Sequence, residues 1–394
     1  MSKRTIAVFT GNRAEYGLQY PILRAIADDP RLDYCLIAGG AHLQQDFGGT
    51  LAEIEADGFQ VHRQVEIELQ HDTLTATARA IGTGILSLSR ILEEVRPDFL
   101  VVYADRFESF AAVITGTQMN IPTAHIEGGD ITEGGALDDS VRHAMTKLAH
   151  LHFTTNEEAS ARVRALGEEP WRVQNVGLPS LDLITAGMFA SEEEVCRDLN
   201  LDPSRPVILF CQHSVTTEFA EAARQVQPAL KTLTTLAGRG YQVIITYPNN
   251  DAGGMSIIQE LQRFEREPVP NIQVTKSLGR RRFHGVLNLI GRHRGAFVGN
   301  SSAGIKETPA FGCPAVNIGT RQQGRLRARN LIEVSYDEGE LEKAVLRCVE
   351  DDDFRQLCRT CENPYGAGQA GQKIAETLAT IPIDKQLLQK KMTI

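Results

Sequence analysis

Short apolar runs alternate with stretches of helical spacing from one end of the chain to the other, and this alternation restricts the fold more than any single motif. Residues 6–9, 34–38, 99–103 and 122–126 are apolar runs of strand length, while residues 18–27, 76–95 and 109–119 have the spacing of amphipathic helices. Pro97 ends the second of these helices, because proline offers no amide hydrogen and restricts the residue before it. The pattern resumes after Gly177-Leu178-Pro179-Ser180, with strands predicted at 206–211, 242–247, 295–298 and 315–318 and helices at 218–236 and 255–264. Apolar strands separated by helices form a parallel sheet covered on both faces. The expected class is α/β, with two Rossmann-like domains: a chain of 394 residues exceeds the size at which one core stops growing. Residues 1–180 make the first domain and 181–367 the second, and the segment 368–394, with a helix at 370–380, is free to join the first. Ligands of such sheets bind beyond the carboxyl ends of the strands, so a cleft between the domains is the expected site.

Composition narrows the partners. A net charge of −9 disfavours nucleic acid, and no apolar run approaches the roughly 18 residues of a membrane span. The N-terminus runs directly into the strand at 6–9 and then Gly11, which is too short for a secretory signal, so a cytoplasmic location is expected. The seven cysteines are odd in number and scattered, which speaks for free thiols. Cys358 and Cys361 form a lone CxxC without the second pair that a metal site calls for. An anionic small ligand would need a local basic pocket.

Candidate chemistry collects at strand ends. GNRAEYG (residues 11–17) follows the first strand and carries Arg13, whose planar fork suits a phosphate; it is not a GxGxxG loop. Asp105-Arg106 follows the strand at 99–103 and either caps the next helix or faces a ligand. Residues 127–139 hold five carboxylates, Glu127, Asp130, Glu133, Asp138 and Asp139, with two Gly-Gly pairs between a strand end and a helix beginning near Asp138. Glycine pairs let the backbone fold tightly enough to bring Glu127 and Asp138 towards one centre. Neighbouring carboxylates raise one another's proton affinity, which makes general acids and bases; a solvated acidic loop or a Mg²⁺ or Ca²⁺ site are the other readings. In the second half His213 lies just beyond a strand, as a proton donor or phosphate ligand. Asn249, Asn250 and Asp251 follow another, and Arg280, Arg281 and Arg282 make a first basic cluster. GNSSAGIKE (299–307) places Ser301 and Ser302 between glycines at the opening of a helix, where backbone N–H groups and the helix dipole can wrap a diphosphate. Arg321, Arg325, Arg327 and Arg329 then supply a second basic patch.

The ordered set GNRAEYG, YADRFE, HIEGG…DDSVRH, CQHS, YPNND, GNSSAGIKE and GTRQQGR resembles the hydrolysing UDP-N-acetylglucosamine 2-epimerases of sialic-acid biosynthesis over about residues 5–330. The resemblance implies a GT-B-like fold, with nucleotide on the C-terminal half and sugar chemistry on the N-terminal half. It places Arg13, Asp105, Arg106, Glu127, Asp138 and His213 at catalytic or phosphate-facing positions. Ser301 and Ser302 fall at the phosphates, Glu307 at the ribose and Arg321 at the nucleotide, with Asn249 and Asp251 beside it. The partner implied is a nucleotide sugar, UDP-N-acetylglucosamine or a related compound, bound by a homodimer or homotetramer. Residues 131–137 make a longer loop than the family pattern, which bears on the sugar; relatives of this type also act on UDP- or GDP-linked 2,4-diacetamido-2,4,6-trideoxy sugars.

The C2 proton of a hexosamine has no adjacent carbonyl, so departure of the diphosphate must come before or with its removal. Elimination gives a glycal, and water then adds. Neither a metal nor a nicotinamide is expected, because this scheme asks only for acid/base groups and charge stabilisation. A non-hydrolysing epimerase, a GT-B glycosyltransferase and a non-catalytic sugar-nucleotide sensor share parts of this pattern. A dehydrogenase does not fit the first βα turn.

Overall fold

The computed structural model describes residues 3–44, 50–67, 73–132, 136–249 and 251–394. The sequence candidates Glu133 and Asn250 lie outside the described residues.

Two compact units divide the chain: Met1–Asp130, Leu137–Leu183 and Tyr365–Ile394 in unit 1, and Ile131–Ala136 and Ile184–Pro364 in unit 2. Unit 1 runs β1 (Arg4–Thr10), α1 (Arg13–Asp28), β2 (Leu32–Gly39), α2 (Leu51–Ala56), β3 (Arg63–Val65), α3 (Leu74–Val95), β4 (Phe99–Tyr103), α4 (Phe107–Gln118), β5 (Thr123–Ile126), α5 (Ala136–Leu148), β6 (Leu151–Thr154), α6 (Glu157–Ala165), β7 (Val173–Asn175) and α7 (Ser180–Thr185). Its strands form one parallel sheet in the order β3-β2-β1-β4-β5-β6-β7. Unit 2 runs α8 (Glu192–Asp198), β8 (Val207–Cys211), α9 (Ala222–Gly238), β9 (Gln242–Thr246), α10 (Gly254–Arg266), β10 (Ile272–Thr275), α11 (Gly279–Arg292), β11 (Gly295–Gly299), α12 (Ala303–Lys306), β12 (Ala315–Ile318), β13 (Leu331–Val334), α13 (Glu338–Glu350) and α14 (Asp352–Thr360). Its sheet is again parallel, β10-β9-β8-β11-β12-β13. The chain then returns to unit 1 with α15 (Ala370–Thr380) and α16 (Lys385–Leu388).

The central strands are buried along their whole length, β4 and β8 at every residue. Helices cover both faces of the first sheet. Ile22, Leu23 and Ile26 of α1 and Ile374 and Leu378 of α15 pack on one face, and Ala80, Leu88 and Leu92 of α3 with Ala111, Ala112 and Val113 of α4 on the other. The helices begin where side chains satisfy free N–H groups: Asn12 caps α1, Thr73 caps α3, and Ser191 with Glu194 closes a capping box on α8. In both sheets the strand order reverses beside the first strand of the unit, between β1 and β4 and between β8 and β11. Such a reversal opens a crevice beyond the carboxyl ends of the strands. All seven cysteines are free thiols, and among the described residues no helix is long and apolar enough to cross a membrane.

Candidate active site

In unit 1 the loops after β1, β4 and β5 lie side by side at the carboxyl edge. Asn12 Oδ1 accepts from the Glu15 amide at 3.0 Å, so α1 starts earlier than its apolar spacing suggests and Arg13 is its first residue, half-buried, rather than a loop residue. Glu15 Oε2 accepts from the Gly11 amide at 2.6 Å and its other oxygen accepts from the Ser109 hydroxyl of α4. Burial pushes its pKa up to about 7, against the pull of those two hydrogen bonds. A side chain at Gly11 would lie 2.7 Å from Glu108 Cβ, so only glycine fits that turn. Behind it Thr10 Oγ1 and Thr50 Oγ1 flank His42 at 3.0 and 2.7 Å, and burial holds this ring down to about 4, hence neutral.

Beyond β4, Ala104 takes a left-handed conformation, φ 54°, and donates to Ile126 O at 2.9 Å. His125 Nε2 meets Ala104 O at 2.7 Å; burial holds this ring down to about 3, so it is a neutral donor. Asp105 does not cap α4. Arg106 occupies the cap position without a side-chain cap bond and forks onto Glu108, with Nε–Oε2 at 3.1 Å and Nη2–Oε1 at 3.2 Å. Asp105 instead accepts from Arg142 Nη2.

At the end of β5, Glu127 is also left-handed, φ 67°, with its amide bonded to Phe153 O at 2.8 Å and its side chain buried. Non-glycine residues rarely adopt this conformation, and its persistence marks a position over-determined by its surroundings. Gly129 follows at φ 77°, where a Cβ would sit 2.3 Å from Ala159 O. Asp138 and Asp139 then lie half-buried in the first turn of α5. The fully buried Arg142 donates through Nη1 to Asp139 Oδ1 and Asp130 O, both at 2.7 Å, as well as to Asp105. One guanidinium thus joins the carboxylates of Asp105 after β4 and Asp139 on α5. Sequence reasoning assigns no role to Arg142 or Glu15, although Arg142 stands in the DDSVRH motif and Glu15 is a carboxylate in the turn at 11–17.

In unit 2 the segments after β8, β9, β11 and β12 converge on Asn300. Its side chain clamps the backbone of His213, Oδ1 accepting from His213 N at 2.6 Å and Nδ2 donating to His213 O at 2.9 Å. His213 Nδ1 accepts from Asn249 N at 3.0 Å, so a neutral ring carries its proton on Nε2. Asn300 O accepts from Gln322 at 2.8 Å and from Arg321 Nη1 at 3.2 Å, and Arg321 Nη2 lies 3.7 Å from Asp251 Oδ2. His213, Asn249, Asp251 and Arg321 are therefore gathered around one asparagine. Ser301 and Ser302 come next, half-buried. The hydroxyls of Ser214 and Thr216, beside His213, have no hydrogen-bond partner among the described residues.

Two expectations change here. The helix opened by the serines is α12, four residues long, because Pro309 lacks an amide hydrogen and a tighter turn, Thr308–Phe311, follows. Its dipole is correspondingly small. Nor do the four arginines after β12 make one patch: Arg325 is buried on Gln322 at 2.6 Å and Arg327 pairs with Glu333 at 2.7 Å. Glu307 is buried, with Oε2 3.4 Å from His284 Nε2. Among the described residues no group of three or more His, Cys, Asp or Glu is placed to hold a metal.

Residues 24–379 match the sequence profile of a known family, UDP-N-acetylglucosamine 2-epimerase. The chain belongs to the UDP-N-acetylglucosamine 2-epimerase family. A Campylobacter jejuni relative, GDP/UDP-N,N'-diacetylbacillosamine 2-epimerase (hydrolyzing), is 32% identical over 90% of this chain and 90% of its own. A Neisseria meningitidis UDP-N-acetylglucosamine 2-epimerase is 33% identical over 85% of this chain and 84% of its own. The crystal structure of UDP-GlcNAc 2-epimerase from Neisseria meningitidis bound to UDP-GlcNAc is similar at a TM-score of 0.78 and 18% identity, covering 95% of this chain and 99% of that one. The fold of this UDP-N-acetylglucosamine 2-epimerase family member is accordingly GT-B-like, with a parallel Rossmann-like sheet in each unit.

Proposed function

We propose that the protein is a hydrolysing 2-epimerase that converts UDP-N-acetylglucosamine to N-acetylmannosamine and UDP. The reading is carried by the carboxylates of Asp105 after β4 and Asp139 at the start of α5, tied by Arg142, with Glu127 at the end of β5, in a chain of this family. In this scheme the C1–O bond to the diphosphate breaks, a carboxylate takes the C2 proton from the opposite face, and a 2-acetamidoglycal remains. Water then adds, its hydroxyl to C1, while C2 receives a proton on the other face. Glu127, Asp138 and Asp105 are the acid/base candidates. Arg13, Arg106 and His213 face the departing diphosphate with Ser301, Ser302 and Arg321, whose donors stabilise the charge that develops there. Glu307 takes the ribose hydroxyls, with Asn249 and Asp251 beside the nucleotide.

A second reading keeps the reaction and changes the sugar to a 2,4-diacetamido-2,4,6-trideoxyglucose carried on UDP or GDP. The Campylobacter jejuni relative, a GDP/UDP-N,N'-diacetylbacillosamine 2-epimerase, favours it, and the longer segment at 131–137 bears on the choice of sugar.

Turnover in D₂O followed by NMR tests the reaction, with UDP-N-acetylglucosamine and the UDP-linked diacetamido sugar in parallel. Deuterium at C2 of a free 2-epimer is expected. Protium retained at C2 would overturn it, and a UDP-linked epimer at equilibrium would make the enzyme non-hydrolysing.

A further inference from the structure

The segment that follows α15 runs back along unit 1 and is tied to it by buried charges. Arg172, fully buried, donates to Leu387 O at 2.8 Å and Gln386 O at 2.5 Å, and also to His150 O at 3.1 Å. Past α16 the Lys391 amide meets Glu169 at 3.2 Å and the Thr393 amide meets Gly167 O at 3.1 Å. Between these anchors Lys390 turns inward. Its Nζ donates to Ala149 O at 2.6 Å, Lys147 O at 2.8 Å and Thr146 O at 3.4 Å, which are carbonyls at the carboxyl end of α5, and pairs with Glu168 at 2.7 Å.

Those carbonyls are the groups a helix end leaves without partners, and a cation there also meets the negative end of the helix dipole. Glu168 is buried and gathers Lys147 at 2.6 Å and His152 at 2.9 Å as well as Lys390. Burial works against its charge, but the hydrogen bonds from His152, Lys147 and Lys390 outweigh it and hold its pKa down to about 2. Burial lowers Lys390 only to about 8, so it is charged at neutral pH, and holds His152 down to about 4, so the ring is neutral. The ammonium is therefore a paired, partly desolvated charge fixed at one end of α5. Near the other end of the same helix sit Asp138 and Asp139, with Arg142 midway along it.

We propose that Lys390 is a positioning residue: the segment after α15 is a strap that caps the carboxyl end of α5 and fixes the axial placement of the acid group at its amino end. The consequence is mechanical. A helix of 13 residues transmits an axial shift along its length, and the Arg142 contacts to Asp105 and Asp130 O register that shift directly. Lys390 touches no substrate; it acts through α5. The proposal rests on the reading that Asp138 and its neighbours do acid/base work.

The test compares Lys390→Met, Lys390→Arg and a control, Lys385→Met, whose side chain is exposed, in the full chain. Lys390→Met is expected to lower kcat on the order of 10- to 100-fold while KM and UDP affinity stay at wild-type values, since a small displacement of reacting groups has that effect. Lys390→Arg, which can still donate to the carbonyls and to Glu168, is expected to recover part of the loss. Amide hydrogen exchange over residues 137–148 is expected to speed up in Lys390→Met and not in the control. Wild-type kcat and wild-type exchange in Lys390→Met would overturn the strap. If Lys390→Met does not fold, Lys390→Gln gives the same comparison with one donor kept. A wild-type enzyme that turns over neither sugar nucleotide would defeat the proposed function instead, and exchange at 137–148 would then decide the strap by itself, faster exchange upholding it and unchanged exchange overturning it.

Discussion

Arg142 donates through Nη2 to Oδ2 of Asp105, so a guanidinium midway along α5 is bonded to the residue two places beyond the end of β4. The pair is what brings a strand end and a helix start into one acid group, because Nη1 of the same guanidinium holds Asp139 and Asp130 O. A lysine has the charge but not the planar fork, and its single nitrogen cannot stand in for two that bond Asp105 on one side and Asp139 and Asp130 O on the other. Arg142→Lys is therefore expected to lose kcat on the order of 100-fold with UDP affinity intact, and to melt earlier. Breaking a buried pair costs roughly 3–5 kcal/mol, and the loss here is expected at the low end because both aspartates keep some contact with water. Steady-state kinetics and calorimetry check both parts. Wild-type kcat in the lysine variant would remove Arg142 from the acid group.

Glu127 is held in a left-handed conformation that a glycine would occupy without strain. The strain is worth about 1–3 kcal/mol, and the entropy a glycine adds to the unfolded chain offsets roughly 0.4–1 kcal/mol of its relief. Glu127→Gly is expected to abolish turnover, with a loss in melting temperature smaller than truncation of the buried side chain alone would bring. Glu127→Gln keeps the backbone and the shape and is expected to abolish turnover as well. Wild-type turnover in Glu127→Gln would remove the carboxyl from the chemistry.

How much of this was legible in the sequence depended on range. The buried strands β1, β4, β8 and β11 were readable because a parallel sheet with both faces covered turns them into unbroken apolar runs. The edge strands β3, β7, β10 and β13 were not; they are three or four residues long and largely half-buried or exposed, and only their neighbours make them strands. The site split in the same way. Arg13, Asp105, Glu127 and His213 stand directly after strands, where position alone marks them. Glu15 and Lys390 matter through partners 94 residues and more than 200 residues away in the chain, Ser109 and Ala149, and no local pattern announces such contacts. The reach of α12 was overestimated because a glycine- and serine-rich strand exit looks the same before a long helix as before a single turn.

Glu15 gives the folded chain a pH dependence near neutrality. Its pKa is raised from 4.5 to about 7, chiefly by burial with the Glu108 charge adding to it, against hydrogen bonds from Ser109 and Gly11 and the Arg106 charge. Between those values the folded chain holds a proton that the unfolded chain has released, so stability falls as pH rises from 4.5 and levels off above 7. The full change is about 3 kcal/mol. Glu15→Gln keeps an acceptor for the Gly11 amide and removes the titration. Its melting temperature is expected to change less than that of wild type between pH 5 and pH 7.5 in a calorimetric pH series, and parallel profiles would show that Glu15 does not titrate there.

Asn300 makes the same kind of test possible in unit 2. Its Oδ1 accepts from His213 N and its Nδ2 donates to His213 O, while its own carbonyl holds Arg321 and Gln322. Asn300→Asp is nearly isosteric and keeps the first bond. It turns the second into a carboxylate oxygen against a carbonyl and puts a negative charge beside the groups assigned to the diphosphate. An unsatisfied buried polar group costs about 1–3 kcal/mol, which is roughly a 5- to 150-fold loss of affinity if the bound form bears it. UDP titrated calorimetrically into Asn300→Asp is expected to bind weaker by an amount in that range, and the loss is expected to shrink as salt is raised, because screening weakens the added repulsion. Uridine, which has no phosphate, is expected to show less of the loss and none of the salt dependence. Equal losses for UDP and uridine would place the diphosphate away from His213 and Arg321.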